Sequence, residues 1–197
     1  MSIKALAARA RGLNREAGGP PVPSLFFFTD PERTPDPIAI ARKLPAETAV
    51  VYRHFGAAER GRTARALASV CRSRRLILLI AADPALATRV GAAGVHWPEH
   101  KLPNARDPAI GFNCVAAHSR EAVARAQAWG ANACVLGPLF ETNSASDNAP
   151  LGLFRASQIA RGAAIPVIAL GGIDAHNAQR LRGRGFSGIA GVEAFLA

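Results

Sequence analysis

Eight short apolar runs, most of them separated by helical patterns, constrain the fold of this chain more than anything else in it. The runs are Leu25–Thr29, Ala49–Arg53, Leu76–Ala81, Val95–Trp97, Ile110–Val115, Ala133–Leu136, Val167–Leu170 and Gly188–Val192. Strands buried on both faces read as continuous apolar stretches rather than as alternations. Helical periodicity fills Glu59–Arg72, Pro84–Val90, Ser119–Trp129 and Leu153–Arg161. The segment after Trp97 is short, contains proline and is poorly periodic, so the fourth helix is expected to be short or missing. A local echo marks three joints: Gly91-Ala-Ala-Gly-Val95, Gly130-Ala-Asn-Ala-Cys134 and Gly185-Phe-Ser-Gly-Ile189. In each, a helix stops at a glycine and a strand begins shortly after.

This alternation in 197 residues predicts a (β/α)8 TIM barrel with an extra N-terminal helix; a doubly wound open sheet is the alternative. Residues 1–21 read as that helix and its linker, and 22–197 as a single barrel domain. The opening stretch is rich in Ala and Arg but lacks the apolar core of a secretion signal. A surface helix is the reading, with an organellar transit peptide as the alternative. Gly18-Gly19-Pro20-Pro21 breaks it. No apolar run approaches the roughly 20 residues that cross a bilayer. Three widely spaced cysteines, Cys71, Cys114 and Cys134, suggest neither a zinc site nor a disulfide framework, and fit a cytoplasmic protein.

The formal charge of +10 comes mostly from arginine, much of it between Arg60 and Arg75. That segment reads as a solvated helix face. No helix-turn-helix or RNA-binding aromatic motif accompanies it, so nucleic acid is not expected as a partner. A basic field of this kind favours small phosphorylated metabolites.

Ile165-Pro-Val-Ile-Ala-Leu-Gly-Gly-Ile-Asp174 is the stretch richest in functional information. Gly171 and Gly172 close a buried strand and let a ligand approach the backbone. Asp174 is expected to cap a helix over Ala175–Arg184, whose unpaired N–H groups make an anion site. In a barrel this turn follows strand seven, beside the backbone of Ala190, Gly191 and Val192 at strand eight, where such folds commonly bind phosphate. The polar loop Gly137–Pro150 adds the hydroxyls of Thr142 and Ser144. Arg53, ending strand two, can grip a phosphate or carboxylate, or form a rim ion pair. His118, after strand five, is a candidate proton carrier. Ser119 reads as a helix cap, and His96 as a packed core histidine.

Leu25–Asp30, Gly91–Trp97, His118–Ala122, Gly130–Thr142, Gly152 and Pro166–Ile173 together resemble the thiamine phosphate synthase superfamily, which includes the thiazole tautomerases. The resemblance runs from about residue 25 to the end. It implies a (β/α)8 barrel and a role in thiamin biosynthesis, with a thiazole phosphate or thiamin phosphate type of ligand and magnesium if synthase activity is retained. Homo-oligomerisation stays open.

The family's synthases join a thiazole phosphate to a pyrimidine methyl diphosphate. Their Gln-x-Arg-x-Lys strand end falls on Val51, Arg53 and Phe55, and their Asn-Asp pair on Ala81-Ala82, with Asp83 one position away as a weak metal candidate. Their second magnesium aspartate falls near Lys101, their loop lysine on Ala145 and their serine after strand eight on Glu193. The proton-carrying histidine of the tautomerases falls on Pro138. The thiazole-phosphate side is thus better kept than the diphosphate side. The resemblance implies a divergent synthase-like protein, a tautomerase-like isomerase, or a non-catalytic phosphate-ligand binding or regulatory protein.

Overall fold

The structure, a computed structural model, describes residues 2–142, 149–174 and 176–196. Eight parallel strands pair in sequence order and close into a barrel. They are β1 (Leu25–Phe28), β2 (Ala49–Tyr52), β3 (Ile77–Ala81), β4 (Gly94–Trp97), β5 (Phe112–Ala117), β6 (Ala133–Leu136), β7 (Val167–Leu170) and β8 (Gly188–Gly191). Closure is made by β1 against β8, in the register Leu25↔Ile189 and Phe26↔Ala190. The open-sheet alternative is excluded, because no edge strand is left.

Alternation along each strand divides the core in two. Phe26, Phe28, Val51, Leu79, Val135 and Ile168 fill the barrel interior. Phe27, Val50, Tyr52, Leu78, Ile80 and Leu136 face outward against the helices. With both faces covered the strands are apolar throughout, which is why they were legible as continuous runs.

The helices are α1 (Ile3–Glu16), α2 (Pro37–Ala41), α3 (Arg60–Arg74), α4 (Pro84–Val90), α5 (Arg120–Trp129) and α6 (Leu153–Gly162). In α3, Ala64, Leu67, Ala68 and Cys71 form the buried stripe at helical spacing. Asp83 and Ser119 cap α4 and α5 through their side-chain oxygens. Gly91 and Gly130 end those two helices in the left-handed conformation. All three cysteines are buried free thiols, and no helix among the described residues is long and apolar enough to cross a membrane.

Three connections depart from regular βα units. The segment after β4 forms only the 3-10 turn Glu99–Lys101, as its weak periodicity predicted. After β7, the expected helix over Ala175–Arg184 does not form; among the described residues there is a 3-10 turn, Ala178–Leu181. Asp174 does cap the turn as expected, its Oδ1 accepting from the N–H groups of His176 and Asn177, and Asn177 Nδ2 donates to the Gly172 carbonyl; the segment is cut short where Gly183 and Gly185 turn the chain with positive φ. After β8 only the 3-10 turn Glu193–Phe195 is seen. Helix α1 packs on β8, β1 and the Ala178–Leu181 turn, so it covers the side where those short connections leave the sheet uncovered. Glu16 at its end accepts from Arg182 Nε and Gly183 N.

Strand β5 begins two residues later than its apolar run suggested. Ile110 belongs to a turn on Asp107, while Ala116 and Ala117, weak strand formers, are held by pairing with Val135 and Leu136.

Phe26 is fully buried in the barrel, whereas Phe154 on α6 is 73% exposed. Phe26→Ala is expected to cost about 3–5 kcal/mol through cavity formation, and Phe154→Ala less than about 0.5 kcal/mol. Denaturant unfolding of both variants against the parent chain measures this.

Candidate functional site at the carboxyl end of the barrel

The inward side chains at the carboxyl ends of β2, β4 and β5 are Arg53, His96 and His118, each set by the alternation of its strand. Arg53 follows Tyr52, which points outward. Its backbone N–H donates to Thr29 Oγ1 at 2.9 Å and its Nε to the Thr29 carbonyl at 2.8 Å. The guanidinium stands 5.3 Å from the centre of the Phe28 ring, and its Nη2 is 3.5 Å from Asp30 Oδ2. Burial pushes its pKa down, but an arginine remains charged.

Asp30 is shared. Arg33 Nη2 donates to Asp30 Oδ2 at 2.8 Å and Arg33 Nη1 reaches Glu193 Oε1 at 3.2 Å. Hydrogen bonds from Arg33 hold the Asp30 carboxyl down at about 2, with Arg53 adding to the effect. Glu193, Arg33, Asp30 and Arg53 therefore form one chain across the ends of β8, β1 and β2. Glu193 points its charge at Arg33, so it does not stand as an unpaired carboxylate beside Val192.

The His118 backbone N–H donates to Glu99 Oε2 at 3.0 Å, and Glu99 Oε1 also binds Arg125. The ring Nδ1 lies against the Gly137 carbonyl. A carbonyl only accepts, so Nδ1 carries a hydrogen, and in the neutral ring the lone pair then lies on Nε2. His96 is buried edge-on against Phe28 at 4.9 Å, and its Nδ1 has no partner among the described residues. Burial, with a smaller contribution from Arg53, pushes its pKa down to about 3. It is a neutral core group at physiological pH.

Gly171 and Gly172 have φ of 98° and 61°. A Cβ on Gly171 would lie 2.6 Å from Pro138 Cα, and one on Gly172 2.2 Å from the Glu141 carbonyl oxygen. The segment after β6 runs alongside them, with Leu139 N–H donating to Leu170 O and Phe140 N–H to Gly171 O. Both glycines thus serve the packing of that loop. Among the described residues, no backbone carbonyl pairs with the N–H of Gly172, Ile173 or Val192. Ala190 pairs with Leu170, and Gly191 ends β8 beside it. Thr142 continues the loop after β6; Ser144 lies outside the described residues.

Four carboxylates stand two positions beyond a strand end: Asp30, Asp83, Glu99 and Glu193. Each is tied to arginine, Asp83 to Arg60 Nε at 3.7 Å and the others as above. Asp83 also spends Oδ1 on the Leu86 N–H. Magnesium needs several unshared oxygen ligands, and among the described residues no three His, Cys, Asp or Glu side chains come together. These residues do not fit a divalent cation. The partners Thr29, Arg33 and Glu99 were missed from the sequence. Asp30 and Arg33, three apart just beyond a strand, were a readable ion-pair signal; Glu99 carried none until β4 and β5 were placed side by side. Two cavities of about 420 and 410 Å³ lie along α1, away from this face.

A closed eight-stranded parallel barrel with Arg53, His96 and His118 inward at its strand ends is a (β/α)8 TIM barrel with a candidate site at its carboxyl face. The thiamine monophosphate synthase family profile matches residues 25–195, and the chain belongs to that family. It is 35% identical to the thiamine-phosphate synthase of Thioalkalivibrio sulfidiphilus over 148 residues, 70% of this chain and 68% of that one. It is 32% identical to the enzyme of the same name from Herpetosiphon aurantiacus over 82% of each chain. The solved thiamine phosphate pyrophosphorylase of Pyrococcus furiosus superposes with a TM-score of 0.74 at 24% identity, covering 86% of this chain and 85% of that one, a likeness of fold.

Between about pH 6.5, where an unfolded histidine titrates, and about 3, the unfolded chain binds a proton at His96 that the native chain does not. Stability from this group is therefore lost as the pH falls through that window. In His96→Leu the decline of the urea midpoint between pH 6.5 and 4 should be markedly shallower than in the parent chain.

Proposed function

We propose that this protein binds a thiazole phosphate type of ligand at the carboxyl face of the barrel, as a divergent member of the thiamin-biosynthetic synthase family. The phosphate is received by the N–H groups of Gly172, Ile173 and Val192, with Gly171, Ala190 and Gly191 shaping the turn and Thr142 and Ser144 lending hydroxyls. The observation that carries this reading is that these amides have no backbone acceptor among the described residues, in a fold where this turn is the habitual phosphate site. The site does not draw on a helix N-terminus, since none follows β7. Arg53, pre-set by Thr29 and Asp30, supplies a fixed positive charge at the same end of the barrel.

Inorganic phosphate titrated into the chain tests the anion site. Gly172→Asp adds negative charge there but also crowds Glu141, so it is paired with Val192→Pro, which removes one donor. Both variants should lose phosphate affinity by roughly tenfold or more, since amide bonds to a charged group contribute about 1.5–3 kcal/mol each. Parent-like affinity in a folded Val192→Pro would defeat the assignment.

Magnesium-dependent synthase turnover should be weak or absent, because every carboxylate two positions past a strand end is already neutralised by arginine. Asp83, the weak metal candidate, is held by the α4 cap and Arg60. The assay is steady-state formation of thiamin phosphate from both substrates, with and without magnesium; a rate typical of biosynthetic enzymes would overturn this part of the reading. A second reading rests on the His118 tautomer, whose Nε2 lone pair suits proton transfer in a tautomerase-like isomerisation. Isomerisation of a thiazole carboxylate phosphate that is lost in His118→Gln would favour it.

A further inference from the structure

The cavity of about 420 Å³ beside α1 lies outside the family-matched part of the chain on one of its walls. One wall is the flank of α1 from Ala8 to Glu16; the other is the connection after β7, at Ala178, Gln179 and Arg182. Its origin is in the fold. Where a full helix after β7 would stand against α1, the chain has the short 3-10 turn Ala178–Leu181. Helix α1 does not fill the space, because Ala8 and Gly12 on that flank are small. Gly12 stands mid-helix, where glycine costs stability relative to alanine. No atom beyond its neighbours in the helix lies within 4 Å of where its Cβ would be, and its φ is not positive. Neither a close approach nor the backbone requires glycine there. Its effect is to hold the cavity open.

The floor is apolar, since Leu13 and Ala178 are both buried core residues. The rim is basic. Glu16, the carboxylate among the lining residues, is already spent: Oε1 accepts from Arg182 Nε at 3.1 Å and Oε2 from the Gly183 N–H at 2.9 Å. Arg9 and Arg15 are exposed, and no ion pair among the described residues includes either. Guanidinium groups grip acidic oxygens and stack on flat rings. The volume falls in the range of small-molecule sites.

We propose that this cavity is a binding site for a small aromatic anion, its ring on Leu13 and Ala178 beside Gly12 and its charge on Arg9 and Arg15. The occupant bridges α1 to the connection whose Asn177 Nδ2 holds the Gly172 carbonyl. It sits on the outside of the barrel rather than in its mouth. The site shares no residue with the amides beyond β7 and β8, so it stands or falls independently of the phosphate reading.

Fluorescence titration of the full chain with anilinonaphthalene sulfonate tests it, alongside N-phenylnaphthylamine, the same aromatic body without the charge. The sulfonate should bind saturably, and the neutral amine at least tenfold more weakly. Arg9→Met should weaken sulfonate binding about tenfold or more, as loss of a charged hydrogen bond does. Arg11→Met removes the same charge but lines the other cavity, and should stay within about twofold of the parent. Gly12→Leu fills the space and should also cost about tenfold, with urea unfolding confirming that the variant is folded. If it does not fold, the comparison of Arg9→Met with Arg11→Met decides alone. The proposal is overturned by the absence of saturable binding, by equal affinity for the neutral amine, or by parent-like binding in a folded Gly12→Leu. A loss in Arg11→Met as large as that in Arg9→Met overturns it as well.

Discussion

Closure of β1 on β8 is the constraint on which the rest of the molecule depends. In a parallel sheet each strand must be paired on both sides and covered on both faces, since an uncovered edge leaves backbone polar groups without partners. Closing the barrel removes the edges but leaves an outer surface that regular helices would cover. Here three of the connections are 3-10 turns, after β4, β7 and β8. Helix α1, which precedes the barrel, supplies Leu6, Ala7, Ala10 and Leu13 to the side left bare by the turns after β7 and β8. The same short connections bring Glu99, Lys101, Arg180 and Glu193 close to the strand ends, so an economy of fold becomes a crowding of charge at the candidate site.

That crowding is resolved by pairing. A carboxylate two residues past β1, β3, β4 or β8 is close enough to the barrel mouth to bind a cation, yet each is held by a guanidinium within 4 Å. The pairs are partly exposed, so each adds modest stability. Their larger consequence is electrostatic. They cancel the negative charge that a metal would need and leave Lys101 and Arg180 facing aromatic rings, Phe55 and Phe140. The chain's net charge of +10 is thus expressed at the carboxyl face as well as on the outer helices.

Family membership and this electrostatic arrangement bear on different questions. The match over residues 25–195 establishes descent and fold. It does not by itself assign chemistry to individual residues such as Arg53, Lys101 and Glu193. Glu193 has Arg33 as its partner, Asp83 has Arg60, and Lys101 has the ring of Phe55. Each of these side chains thus has a partner of its own at the rim.

The sequence alone determined the barrel, because burial on both faces forces each strand to be apolar at every position and so prints it as a run. It also determined the cap at Ser119 and the glycine stops at Gly91 and Gly130, where the chemistry involves neighbours within four residues; Asp83, read from the sequence as a weak metal candidate, is a cap as well. The Gly171-Gly172 turn was legible as a special backbone, and Arg53 and His118 as strand-end residues. What surrounds them was not legible. The segment that Asp174 caps after β7 stopped at a 3-10 turn ahead of Gly183 and Gly185, β5 slid two residues past its apolar run to pair with β6, and the two glycines turned out to admit the loop after β6. The pairing of Glu193 with Arg33 spans 160 residues, and that of Lys101 with Phe55 joins two separate strand ends. Such contacts exist only once the barrel closes, because closure, not sequence proximity, sets which charges share a rim.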